Sequence, residues 1–386
     1  MTKSIKIKTK SFLEFSGQSP LIISWDIKTF LLYYVQLVME KVCVPDSELP
    51  DWAKPKLKGS PPSEVKSNVF GAAKKIAFII GTAILVVASV RNSVTWHFER
   101  FWGASKYFYQ DIWNVVHRDI CNENNLVLAT IGTHAFLFLY FWMNSIFFMY
   151  LDIFKPKYFM KYKIQEDKMV TMPRLRHAIL VCMRNQLIGL AVSFPLYYLM
   201  DYRGCYYKAE ELPTFQWVLF ELIVFILVEE FFFYYSHRLL HHPRIYRHIH
   251  KVHHEWTASI SIIGIYAHPF EHVVSNLLPV FFGPLLMGSH IATLWMWSCM
   301  VITSTQISHG GYHLPFLPSP EAHDYHHLKF INNFGVLGVL DRLHGTDRLF
   351  LKTKAYDRHI MLIGLTPAKE LFPDEGKKIA QEKKCS

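Results

Sequence analysis

Residues 126–151 contain no Asp, Glu, Lys or Arg, and His134 is the only side chain among these 26 that titrates near neutrality. As a helix the stretch rises about 39 Å, enough to cross a hydrocarbon core roughly 30 Å thick with some tilt. Inside a bilayer every backbone N–H and C=O has to be satisfied internally, so a spanning chain is a helix or a closed barrel. No alternating barrel pattern runs through the sequence, and helices are expected. The whole chain of 386 residues agrees, being 51% apolar and 16% aromatic.

Other segments extend the reading. Residues 76–90 form a shorter apolar run between Lys74-Lys75 and Arg91, long enough to cross only if the flanking cations snorkel outward. Residues 187–200 and 215–228 read as a second membrane pair, the latter running into Glu229-Glu230. Residues 273–319 carry no charged side chain, yet cations flank them on both sides: Arg238, Arg244, Arg247 and Lys251 before, Lys329, Arg342 and Arg348 after. Positive charge on both flanks places both on one cytosolic face, so an even number of crossings lies between. Residues 273–287 and 291–307 form a hairpin or a re-entrant loop, since each arm is shorter than a full span.

Sixteen of the 21 histidines fall between His237 and His344. They are grouped as His237-Arg-Leu-Leu-His241-His242, His250-Lys-Val-His253-His254, His309-Gly-Gly-Tyr-His313 and His323-Asp-Tyr-His326-His327. Positions three or four apart on a helix lie one turn above each other, close enough to share one metal ion or serve two neighbouring ones. Imidazole suits iron, zinc, copper or nickel, whereas magnesium and calcium prefer oxygen. The six cysteines are dispersed, which gives neither a disulfide framework nor a thiolate site. Some ten imidazoles exceed the needs of one ion, so two metals are expected.

These strings, together with Ala267-His268-Pro269-Phe270-Glu271, resemble the histidine boxes of the fatty acid hydroxylase superfamily, with the nearest likeness to the sterol C4-methyl oxidases. The likeness covers roughly residues 215–350. It implies an endoplasmic-reticulum membrane enzyme with two iron ions, zinc being a possible occupant after purification. It also implies O2 as oxidant, a lipid from the bilayer as substrate, and cytochrome b5 or a b5-type reductase as electron donor. Carried over box by box, the implied metal ligands are His237 with His241 or His242; His250, His253 and His254; His309 and His313; and His323, His326 and His327. Helix geometry sets His241 on the face of His237, while the family pattern favours His242; both stay open. The chain departs from the sterol oxidase pattern at His313, where that pattern has aspartate, which leaves the substrate open among sterol, fatty acyl chain and sphingolipid.

Four carboxylates are candidates for roles beside the metals. Glu229, like Glu230, lies two turns before His237 on an apolar helix, where an unpaired carboxylate is costly. Glu271 or His268 is placed to orient a ligand, against the plainer reading of helix-start capping around Pro269. Asp324 either accepts an imidazole N–H or is an exposed acid. His97, His117, His134, His177 and His359 read as ordinary structural or surface groups, as does His290 in the hairpin turn, and Trp295 and Trp297 as aromatic packing or an interfacial belt.

The resulting expectation is an all-α polytopic membrane protein with four to six membrane-embedded helices and a cytosolic helical cap carrying the boxes. Its parts are a basic region and linker (1–70), N-terminal membrane helices (71–213), the histidine-box domain (214–350) and a cytosolic tail (351–386). The net charge of +10 sits beside apolar segments, which fits anionic headgroups and a membrane surface better than nucleic acid. The N-terminus is basic without an apolar core behind it, so no signal peptide is expected, and the end Lys383-Lys384-Cys385-Ser386 resembles a dilysine retrieval signal. A zinc-dependent membrane hydrolase or lyase and an inactive metal-binding scaffold are the competing classes.

Overall fold

The structure is a computed structural model that describes residues 95–168 and 170–374, with residues 77 and 80–82. The linker at 46–67, nearly all of the expected crossing at 76–90 and the dilysine end lie outside the described residues. Among the described residues the regular structure is helical, with one isolated antiparallel bridge, Lys163 to Tyr312, and no strand. This is an all-α polytopic membrane protein.

The main helices are α1 (Thr95–Asn114), α2 (Asn125–Phe154), α3 (Met172–Arg203), α4 (Phe215–Leu240), α5 (Pro269–Met287), α6 (Ile291–His309), α7 (Glu321–Lys329) and α8 (Val339–His344). Their ends follow local chemistry. The Asn124 side chain accepts the Val127 N–H at the start of α2, and Thr214 accepts that of Trp217 at the start of α4. His268 and His290 cap α5 and α6 in the same way, accepting from Phe270 and Ala292. Both are thus helix caps. α3 stops at Gly204 (φ +79°), a left-handed position that glycine adopts without strain.

Among the described residues three helices, α2, α3 and α5, are long and apolar enough to cross a membrane. α3 runs for 32 residues and contains Pro195, so the apolar run at 187–200 is only its second half. The arms of the expected hairpin are each longer than the apolar pattern indicated: α5 and α6 both span 19 residues and turn at Gly288. α4 packs along α5, where a Cβ on Gly283 would come within 2.9 Å of the Phe225 ring. α6 packs on α2 through Gln306, whose amide donates to Phe141 O and Ser145 Oγ. Trp295 stacks on Phe136 at 4.4 Å and donates to Thr133 Oγ1, and Trp297 donates to Val280 O; both are packing residues. Large apolar side chains on the outer faces of α2 and α3, such as Leu139 and Leu180, are 68% and 69% exposed, as lipid-facing groups would be.

This framework brings several chain segments to one place. His237 lies in the last turn of α4, His309 ends α6, and Glu271 lies in the first turn of α5. The segment after α4 supplies His241, His250, His253 and His254, and α7 supplies His323, His326 and His327. Asn185 and Arg184 of α3 hold the loop before α5 by donating to Ala267 O.

Candidate metal centre

Nine of the boxed histidines converge in two sets. His237, His241, His250, His254 and His326 form group one; His253, His309, His323 and His327 form group two, the ring nitrogens of each lying within 4.8 Å of one another. The partition follows helical phase. The i, i+4 pairs 237/241, 250/254 and 323/327 each stay within one group, whereas His253 and His326, at i+3, cross to the other. Boxes two and four therefore straddle both groups.

Proton placement fixes what these rings can do. The Nδ1 atoms of His237, His253, His309, His326 and His327 face the main-chain oxygens of Phe334, Tyr266, Thr305, Asn332 and Trp256 at 2.6–3.1 Å. His250 Nδ1 faces Glu271 Oε1 at 2.7 Å. A carbonyl oxygen only accepts, so the five rings that face one carry their proton on Nδ1 and turn the Nε2 lone pair inward, and an ionised Glu271 holds His250 in the same tautomer. There the Nε2 atoms approach each other closely: His237 to His250 at 3.2 Å, His254 to His250 at 3.0 Å, His323 to His309 at 2.7 Å and His327 to His323 at 3.1 Å. Facing lone pairs repel unless a cation lies between them. A metal–imidazole bond of roughly 2.1 Å puts neighbouring ligand nitrogens about 3 Å apart in a five- or six-coordinate shell. The donor sets fit a pair of transition-metal ions.

Burial keeps the rings neutral, as ligands must be. It pushes His250 down to about 3 and His253 to about 4. His254, His323, His326 and His327 also lie well below the usual imidazole value, through burial first and neighbouring imidazoles second.

Two expected ligands lie outside both groups. His242 caps the short helix Pro243–Tyr246, its Nδ1 accepting from Arg244 N. His313 is held between Glu321 Oε1 at 3.3 Å and Ile360 O at 2.9 Å. Between His241 and His242, the structure places His241 in group one. Of the carboxylates, Glu271 contacts the His250 ring, and Glu229 faces a cavity. Asp324 is neither an exposed acid nor an imidazole acceptor: it is buried, accepts the Gln165 amide at 3.0 and 3.2 Å, and burial raises its carboxyl to about 7.

Two acids shape the loop behind group one: Glu230, which the sequence places beside the metals together with Glu229, and Asp341, which it does not single out. Glu230 accepts the N–H groups of Val336, Leu337 and Leu340, and Asp341 those of Phe334 and Gly335 together with the Thr346 hydroxyl. That loop presents Phe334 O to His237 and Asn332 O to His326. Glu230 was visible only as a carboxylate in an apolar helix, and Asp341 gave no local signal, because its partners are main-chain amides.

A cavity of about 750 Å³ reaches both groups. Its walls include Leu137, Phe141, Ile226, Phe281 and Val301 from the long helices, and His237, His250, His253, His309 and His323 face it. A volume of this size holds a lipid chain or ring system.

A family model described as fatty acid hydroxylase matches residues 222–346. The fatty acid hydroxylase domain-containing protein 2 of Homo sapiens is 47% identical over 323 residues, which is 82% of this chain and 96% of that one. A very-long-chain aldehyde decarbonylase of Oryza sativa subsp. indica is 32% identical, covering 62% of this chain and 92% of its own. Methylsterol monooxygenase 1 of Rattus norvegicus is 31% identical, covering 58% and 80%. No solved structure matches.

Proposed function

Because the chain belongs to the fatty acid hydroxylase family, we propose that it is a membrane non-haem diiron oxygenase that oxidises a C–H bond of a lipid. The observation that carries the reading is the pair of histidine groups with inward Nε2 lone pairs at the end of an apolar cavity. Two iron ions bound there would supply the redox chemistry, R–H + O2 + 2 e⁻ + 2 H⁺ → R–OH + H2O, for which the protein provides binding and orientation. His237, His241, His250, His254 and His326 would hold one ion, and His253, His309, His323 and His327 the other.

The chain's own residues do the rest. Five main-chain carbonyls and Glu271 fix the imidazole tautomers and hold the rings in place, as orienting partners of metal ligands do. The walls at Phe141, Phe281 and Val301 seat the hydrocarbon of the substrate and exclude water from the reacting carbon. The substrate we favour is a sterol, oxidised at a C4 methyl group, a reading supported by the methylsterol monooxygenase relatives. A fatty acyl or sphingolipid chain is the second reading, favoured by His313 standing where the sterol oxidase pattern carries aspartate. Electrons come from cytochrome b5 or a b5-type reductase, and the protein resides in the endoplasmic reticulum with its histidine groups on the cytosolic side.

The test is oxygen uptake by the iron-loaded, full-length protein in lipid bilayers with reductant. Addition of a 4-methyl sterol is expected to stimulate uptake and yield the 4-hydroxymethyl product. Zinc-supported lipid cleavage without oxygen uptake would replace the proposal with a hydrolase, and unchanged sterol and sphingolipid profiles in cells lacking the protein would leave only a scaffold.

A further inference from the structure

Group one lies one aromatic layer below the protein surface. The Tyr246 ring stacks on His241 with centroids 5.7 Å apart and stands 5.9 Å from His254. Phe330 closes the same side, 4.7 Å from the His254 ring and 6.1 Å from Tyr246. Both aromatic residues are half-buried, so each touches the imidazoles on one side and the surface on the other.

Around this lid the chain exposes Arg244, Arg247, His248 and Lys251 within eight residues. Arg247 donates to its neighbour His248, and among the described residues Arg244, Arg247 and Lys251 take part in no ion pair. The one acid in the adjoining segment, Glu255, is engaged by the Tyr266 hydroxyl at 2.7 Å. Uncompensated cations beside a centre that itself holds cations raise the local potential at a cost, which an anionic partner relieves.

We propose that the surface formed by Arg244, Arg247, His248 and Lys251 around Tyr246 docks a small one-electron carrier protein through an acidic face, with Tyr246 and Phe330 as the contacts leading to group one. The assignment rests on the oxygenase reading, whose reaction consumes two electrons per O2. Two carriers, each oxidised by one electron, supply them, and two protons complete the water. A protein partner fits better than lipid headgroups, because the cations ring the aromatic lid over the metal group, and headgroups need no route to a metal. The cavity serves the hydrocarbon from the side of the long helices, so donor and substrate do not compete.

The test uses the full-length, iron-loaded chain in bilayer discs of phosphatidylcholine, with the soluble haem domain of cytochrome b5 as probe. The expected result is binding that weakens as salt rises, as charge-steered association does. The triple variant Arg244→Glu/Arg247→Glu/Lys251→Glu is expected to raise the Kd of the domain by roughly tenfold or more, and carrier-driven turnover falls with it. Dithionite-driven turnover is expected to stay within about twofold of the parent, and Arg244→Lys/Arg247→Lys to keep the binding. Unchanged affinity in the triple variant overturns the proposal, as does a loss confined to association with phosphatidylserine vesicles. If the domain binds and charge reversal weakens it, yet neither reductant supports oxidation, the docking surface stands and the oxygenase reading falls.

Discussion

Group one and group two are built from the same boxes but face different surroundings. Group one has five candidate donors, of which only His237 and His250 reach the cavity, and it is roofed by Tyr246 and Phe330. Group two has four, and three of them, His253, His309 and His323, line the cavity. Fewer donors and a larger share facing the cavity leave group two more room for a non-protein ligand, as catalytic metal sites need. On the proposed function this asymmetry implies a division of labour, in which group two would meet dioxygen and lipid and group one would receive electrons from the surface.

Adjacent residues break that comparison most sharply. His253→Ala takes one of four donors from the cavity side and is expected to lower lipid oxidation at least about 100-fold, with loss of one metal per chain. His254→Ala leaves group one with four donors and is expected to cost roughly tenfold while both metals bind at high supply. Equal losses in activity and metal content would mean that the groups are not distinct in role.

Glu271→Ala removes the acceptor for His250 Nδ1–H. Metal affinity is expected to fall roughly 10- to 100-fold at one of the two sites, seen as a single weakened phase in chelator competition. Two equally weakened phases would assign Glu271 to both groups. A smaller effect is expected at Gly335, where an added Cβ would lie 2.8 Å from Glu230 Oε1 and 3.0 Å from Asp341 Oδ2. Gly335→Ala is expected to cost about 1–3 kcal/mol in thermal stability and to loosen group one alone, because the displaced loop carries the acceptors for His237 and His326. The smallest change is His242→Ala, which removes a weak helix cap worth about 0.5 kcal/mol and leaves metal content intact. A metal lost in that variant would restore the family-pattern ligand.

Much of the centre was legible from helical phase. Spacings of three and four marked the histidines as partners, and the i, i+4 relation of His237 to His241 is the one the fold uses. The membrane helix at 126–151 announced itself by the absence of charge and extends to Asn125–Phe154. The assignment of each imidazole to a group was not legible, because it depends on which chain segments meet in space. His309 is the clearest case: it joins group two through His323, fourteen positions along the chain, whereas its box partner His313 turns to Glu321 and Ile360. Nor was Asp341 legible, since its contribution is to hold a loop whose carbonyls orient rings from α4 and α7. Charge bearing on α4 concealed how far that helix runs: it carries Glu221, Glu229 and Glu230, yet continues unbroken from Phe215 to Leu240.

On the proposed function two metal ions share these nine imidazoles. X-ray absorption at the iron edge on the purified full-length protein, with metal counted per chain, tests it most directly. Two irons per chain are expected in shells dominated by imidazole nitrogen, falling to one when His253 is replaced by alanine. A single ion per chain, or shells dominated by sulfur or carboxylate oxygen, would contradict it.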